Sequence, residues 1–264
     1  MPVLTASLLL ALSTVGCTPP SAAAPASDDS GTYGSTDVPL ETDNGADTGA
    51  PPDITAAIKC PDGIVAINGA TKYTTLQEAV GSSGPGDVIE VCPGRWTESV
   101  SIPHDGPLTL SSVSGNAEDT VLDGEYQRRI IYRSGLDPTY EIKNISFIRG
   151  VARWSSTGGG MTIIASSPSG SVVVEGCVFS DNGPGEALYL KGLGSAHIRR
   201  SIFRNQNGGV SANGAVTLSI QEELLIEDSL FENNHSFISG GAMTLMPAGW
   251  PETHPEFIIR RSTF

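Results

Sequence analysis

Residues 224–245, LLIEDSLFENNHSFISGGAMTL, decide the fold because their outline recurs. Upstream stand VVVEGCVFSDN (172–182) and AHIRRSIFRNQ (196–206), and downstream stands FIIRRSTF (257–264). Aligned on Phe179, Phe203, Phe231 and Phe264, the copies agree position by position. Two residues earlier stand Cys177, Ser201, Ser229 and Ser262, all small. Five earlier stand Val174, Ile198, Ile226 and Ile259; seven earlier stand Val172, Ala196, Leu224 and Phe257. Each pair of positions has the two-residue period of a β-strand. The phase slips by one between them, so the chain must bend there.

A second anchor follows each phenylalanine. Its first bulky residues are Met161, Leu188, Val216 and Met243, spaced by 27, 28 and 27 residues. Ile163, Leu190, Leu218 and Leu245 stand two residues further on, and Phe147 marks an earlier copy. One unit therefore has about 27 residues and three very short strands, with turns rich in Gly, Asn and Ser. Strands this short bury nothing alone. Stacked in register, each pairs with its own copy one coil away and its inward residues form columns. The expected fold is all-β, a right-handed parallel β-helix. On these residues the segment 57–264 resembles the repeat proteins of the pectin lyase-like superfamily.

The columns carry further expectations. Asn182, Gln206 and Asn234 stand three after the phenylalanine and suit an amide ladder. Glu175, Arg199, Glu227 and Arg260 alternate in sign at the bend, so neighbouring copies attract. Cys177 shares a column with serines and reads as buried structure, not as a nucleophile. Thr75-Leu76-Gln77-Glu78 is a capping box, predicting a short helix over the first coil. The stretch LQEAV to GRWTESV resembles the N-terminal cap of the same superfamily. Phe264 falls inside a coil with no cap in view, which reads as a gene fragment with further coils missing.

The remaining sequence bears on location. Leu4–Val15 is a short apolar run, too short to span a bilayer and suited to a signal peptide, 1–17. Its end, Thr14–Cys17 (TVGC), resembles the lipobox of bacterial lipoproteins, which implies lipid attachment at Cys17 and a membrane as partner. The expected location is an outer membrane or cell surface; the alternative is a plain signal peptide and a secreted chain. Residues 18–56 are Ser, Thr, Pro, Ala, Gly and Asp with little apolar bulk, a disordered acidic tether. Residues 1–56 hold seven acidic and no basic side chains, half of the net charge of −14. No basic stripe appears, which argues against nucleic acid as a partner. In an oxidising compartment Cys60 and Cys92 can pair; the alternative is two buried thiols.

No catalytic residue and no metal site are nominated. The acidic pairs Glu222-Glu223, Glu227-Asp228 and Asp119/Asp123 fall in turns. Arg128-Arg129, Arg199-Arg200 and Arg260-Arg261 are mostly explained by the charge column, and the four histidines are scattered. Candidate glycan contacts are Trp154 and Trp250, on long loops, with Tyr189 in a column Thr162, Tyr189, Thr217, Thr244 expected to face outward. The leading expectation is an anchored, non-catalytic display protein without a cofactor, contacting polysaccharide. The alternative implied by the resemblance is a lyase or hydrolase of acidic polysaccharide, for which calcium would be the cofactor.

Overall fold

The computed structural model describes residues 60, 65–152, 157–208, 214–246 and 255–264. Cys17, the segment 18–56, Trp154 and Trp250 lie outside the described residues. The described part is a parallel β-solenoid of about 5 turns.

Three columns of strands build it. The first holds β3 (Asp87–Val91), β6 (Gly106–Ser112), β9 (Pro138–Lys143), β12 (Ser171–Glu175), the second halves of β14 (Leu188–Arg199) and β16 (Val216–Glu227), and β19 (Glu256–Arg260). The second holds β4 (Gly94–Trp96), β7 (Thr120–Asp123), β10 (Ser146–Ile148), β13 (Val178–Ser180), β15 (Ile202–Arg204) and β17 (Leu230–Glu232). The third holds β5 (Val100–Ser101), β8 (Ile131–Gly135), β11 (Met161–Ala165), the first halves of β14 and β16, and β18 (Met243–Leu245). Every pairing among these columns is parallel and joins one coil to the next.

Left-handed residues make the bends. Asn144, Gly176, Arg200, Asp228 and Arg261, each three before its phenylalanine, have φ between 47° and 62°. Arg149, Asp181, Asn205 and Asn233, two after it, have φ between 52° and 56°. One left-handed residue inserted between two strands turns the chain and shifts the inward face by one, which is the phase slip seen in the sequence. Only Gly escapes a Cβ penalty there, and Asn and Asp tolerate it. At Gly176 a Cβ would also meet the Asn144 Oδ1 at 2.2 Å.

The core is a set of ladders. Phe147, Phe179, Phe203, Phe231 and Phe264 stack with centroids 4.7–4.8 Å apart and planes within 11°. Isolated rings prefer an offset or edge-on contact. Here the strand spacing of about 4.8 Å sets the separation, because each ring sits on an in-register rung. The serine column works through hydrogen bonds. Ser201 Oγ accepts from Cys177 N, Ser229 Oγ from Ser201 N, and Ser262 Oγ from Ser229 N, each at 3.2 Å. Each hydroxyl donates in turn to the carbonyl two residues before it.

The amides do the same on the other side of the strand. Asn182 Oδ1 accepts from Gly150 N, Gln206 Oε1 from Asn182 N, and Asn234 Oδ1 from Gln206 N, at 2.8–3.1 Å. Their amide nitrogens donate to the carbonyls of Phe147, Phe179 and Phe203. The N–H and C=O groups that the tight turn would orphan are thus satisfied along the axis.

The charge column pairs between coils. Glu227 is approached by Arg199 at 3.3 Å, Arg260 at 2.7 Å and Arg261 at 3.1 Å. The Arg260 hydrogen bond comes first in holding the Glu227 carboxyl below its ordinary range, and the other two arginines add to it. Glu175 binds Arg200 in place of its register partner Arg199.

The N-terminal end is closed by α1 (Leu76–Ser82), which buries Leu76, Ala79 and Val80. Thr75 accepts from Glu78 N, while the Glu98 carboxylate accepts from Leu76 N and Gln77 N at 2.9 Å. The Gln77 side chain accepts from Ser101 N and donates to Ser101 O, so one amide covers the free edge of β5 as another strand would. A hairpin of β1 (Val65–Ile67) and β2 (Thr71–Tyr73) packs antiparallel on β3, turning at Asn68-Gly69 with φ of 51° and 68°. Cys60 and Cys92 are joined by a disulfide, Cα atoms 5.5 Å apart. In the last coil the core-column residues Phe257, Ile259 and Phe264 are exposed.

Candidate functional site

The hydroxyl column is present in register: Ser101, Tyr132, Thr162, Tyr189, Thr217 and Thr244 face one another coil to coil. It differs from the sequence expectation in exposure. Thr162, Tyr189 and Thr217 are buried, at 0%, 9% and 1% exposure. The connections between sheets cover them. Thr162 Oγ1 donates to Gly158 O at 2.9 Å, and Thr217 Oγ1 donates to the buried Glu186 carboxylate at 3.2 Å. Gly158 lies so close to Tyr189 that a Cβ there would meet its backbone N at 3.1 Å. Burial pushes the Tyr189 phenol up, and the nearby Glu186 charge adds to that. Periodicity reveals which face a residue takes. It does not reveal which connection folds over that face.

The exposed part of the column is at its N-terminal end. Tyr132 is 39% exposed, and the Arg129 guanidinium lies 5.0 Å from its ring centroid. Arg129 is held in place from its other side, donating from Nε to Gly158 O at 2.9 Å and from a terminal nitrogen to the Thr157 hydroxyl at 2.7 Å. Desolvation lowers the Arg129 pKa from its ordinary value, opposed by Tyr132 and Glu186.

A second group sits on the outer face of the second column. Asp123, at the end of β7, has a fully buried carboxylate. It accepts from Arg95 Nε at 2.5 Å, from Arg149 through two nitrogens, and from Glu125 N at 2.8 Å. Burial alone would raise its pKa; Arg149, the Glu125 N–H and Arg95 together outweigh burial and hold the carboxyl below its ordinary range. Tyr126 follows, 51% exposed, with the Arg149 guanidinium 5.8 Å from its ring centroid. Glu125, Tyr126 and Arg149 all have left-handed backbones, φ 53–56°. Three non-glycine residues in that region at one place cost free energy that the surrounding contacts must offset. The sequence places Asp123 in a turn and gives no local signal for Tyr126, Tyr132, Arg95 or Arg149. Their signal is tertiary, because Arg95, Asp123 and Arg149 belong to three successive coils.

A third buried charge lies inside the solenoid. Arg133 occupies an inward column opposite Ile163 at 8% exposure. It donates to Ile102 O at 3.1 Å and pairs with Asp105, whose carboxyl it holds below the ordinary range. The neighbouring Tyr140 hydroxyl donates to His104 O at 3.0 Å, and burial pushes its phenol up to about 12.

Cys177 is buried and free, with its thiol pushed up to about 12 by burial. Its Sγ donates to Ile142 O and Glu175 O at 3.4 Å, in the role of the ladder serines. Among the described residues no group of three or more His, Cys, Asp or Glu side chains has the arrangement of a metal site. No protein-family model matches the chain, and no curated protein or solved structure matches it.

Proposed function

We propose that this chain is an exported β-helix protein, anchored at a cell surface through a lipid on Cys17, that contacts glycans without catalysing their cleavage. The observation that carries the glycan reading is the exposed Tyr132 ring, backed by Arg129 and flanked in register by the exposed Ser101 hydroxyl. An amphipathic ring beside hydroxyls offers a sugar both a stacking face and hydrogen bonds. Export is supported separately by the Cys60–Cys92 disulfide, since such bonds persist in oxidising compartments and are rare in the cytosol. The sequence-based candidates Trp154 and Trp250 lie outside the described residues, and Tyr189 is buried and takes no part in the exposed face.

The test is a glycan array with the wild-type chain and Tyr132→Ala. Retained saccharides, with binding weakened at least tenfold by the substitution, support the reading; an unaffected or blank array overturns it. Metabolic labelling with a fatty-acid analogue checks the anchor, and Cys17→Ser should abolish incorporation. The second reading, a lyase or hydrolase of acidic polysaccharide related to the pectin lyase-like superfamily, predicts new unsaturated or reducing ends when such polymers are incubated with the chain and calcium.

A further inference from the structure

We infer that Arg95, Arg149 and Tyr126 form an oxyanion-binding site on the outer face of the second strand column, separate from the Tyr132 face. Its ligand carries a carboxylate or sulfate group on a sugar ring. The ring part of this assignment rests on the glycan reading; the oxyanion part does not.

The argument starts from the buried Asp123. A carboxylate at 0% exposure requires charge compensation, and one guanidinium suffices for that. Two are present, so the trio of Arg95, Arg149 and Asp123 keeps one positive charge. The neighbouring Arg128 and Glu125 cancel, paired at 2.8 Å.

The excess charge faces outward. Arg95 commits its Nε to Asp123, while its side chain is 54% exposed. Among the described residues its two terminal nitrogens have no hydrogen-bond partner. Arg149 is clamped from two sides, by Asp123 through Nε and a terminal nitrogen and by the Tyr126 ring. Its side chain remains 36% exposed. A guanidinium fixed by one carboxylate presents its other N–H donors in a set direction, which suits a planar or tetrahedral oxyanion. Pre-orientation also lowers the entropy that a ligand would otherwise have to remove.

Tyr126 adds the second element. Its left-handed backbone, with Tyr126 N donating to Arg149 O at 2.8 Å, holds the ring beside the guanidinium and half exposed. Asn or Gly would adopt that backbone at lower cost, so a large ring here is not explained by the turn alone. An aromatic face next to two oriented arginines recognises a ring that bears a negative group.

The experiment has two arms. In the first, thermal unfolding of the full chain is followed in sodium sulfate against sodium chloride at equal ionic strength. Stabilisation by sulfate that disappears in Arg95→Gln is expected; equal responses of wild type and variant overturn the site. Arg95→Gln removes an exposed group and leaves the Arg149–Asp123 pair, so the variant is expected to fold. In the second arm, matched uncharged, carboxylated and sulfated oligosaccharides are titrated against wild type, Arg95→Gln and Tyr126→Asn, the last keeping a residue suited to the left-handed turn. Tighter binding of a charged series, weakened about tenfold or more by each substitution, supports the inference. Binding of uncharged saccharides alone overturns it and leaves the Tyr132 reading standing. A sulfate response with no saccharide bound overturns the ring part and the glycan reading together.

Discussion

The backbone N–H of Cys177 donates to the hydroxyl of Ser201, one coil further on, at 3.2 Å. The thiol of Cys177 itself donates to carbonyl oxygens, as the hydroxyls of Ser201 and Ser229 do. Cysteine therefore stands at a serine position, and its chemistry is set by burial.

Two results are expected. Cys177→Ser should fold with stability within about 1 kcal/mol of wild type, since the site already offers a hydroxyl its acceptors. Native protein at pH 8 should resist alkylation at Cys177, because burial pushes the thiol up to about 12. Mass spectrometry after iodoacetamide, with and without denaturant, checks the second; rapid native labelling would refute it.

The Gln206 side chain bridges two coils. It accepts from Asn182 N at 3.0 Å and donates to Phe179 O at 2.8 Å, with 1% exposure. Gln206→Leu should cost about 2–4 kcal/mol, because it leaves buried backbone groups without partners. Gln206→Asn shortens the side chain yet keeps the amide, as at Asn182 and Asn234, and should recover part of that loss. Equilibrium urea unfolding of the three proteins measures both.

Removing the disulfide should destabilise the N-terminal end. Cys60 and Cys92 are separated by 32 residues, and closing a loop of that size is worth about 3–4 kcal/mol. Cys60→Ser with Cys92→Ser should lower the denaturation midpoint accordingly. Hydrogen exchange should show the loss concentrated in β1, β2 and α1, beside the staple, and small in β14 and β16.

The acid limb of stability should carry a signature of Asp123. Its folded pKa is depressed, so at low pH the unfolded chain binds the proton more readily. Its contribution is therefore complete above the unfolded value of about 4 and is lost as pH falls through the folded pKa. Asp123→Asn should flatten the stability–pH curve below about pH 4 and lower the plateau near pH 7. The drop should be about 1–3 kcal/mol, less than for a fully buried pair, since Arg95 and Arg149 stay partly hydrated. A curve of unchanged shape would show that Asp123 is not the titrating group.

The repeat was legible because a solenoid writes its contacts into one line of sequence. Phe179 meets Phe203 and Ser201 meets Ser229, so residues that touch share a position in the repeat. The charge column was legible in part: Glu227 meets Arg199 and Arg260, whereas Glu175 meets Arg200, one residue off the column. The hairpin at Asn68-Gly69 carried a recognisable turn signal, yet it lies outside the repeat and joins its sheet antiparallel. Arg133 was not legible as a core residue, because no pattern announces a charge in an inward column.

By itself the sequence determined the stacking: the period, the inward columns, the ladders and the bends follow from residue type and spacing, since short strands can bury their apolar side only against their own copies. Tertiary structure alone decided the surface. The connections between strands have no repeat to constrain them, and their paths closed Thr162, Tyr189 and Thr217 away from solvent while leaving Tyr126 and Tyr132 exposed. The same paths drew Arg95 and Arg149 onto one buried carboxylate, a convergence of three coils that no single stretch of sequence spells out.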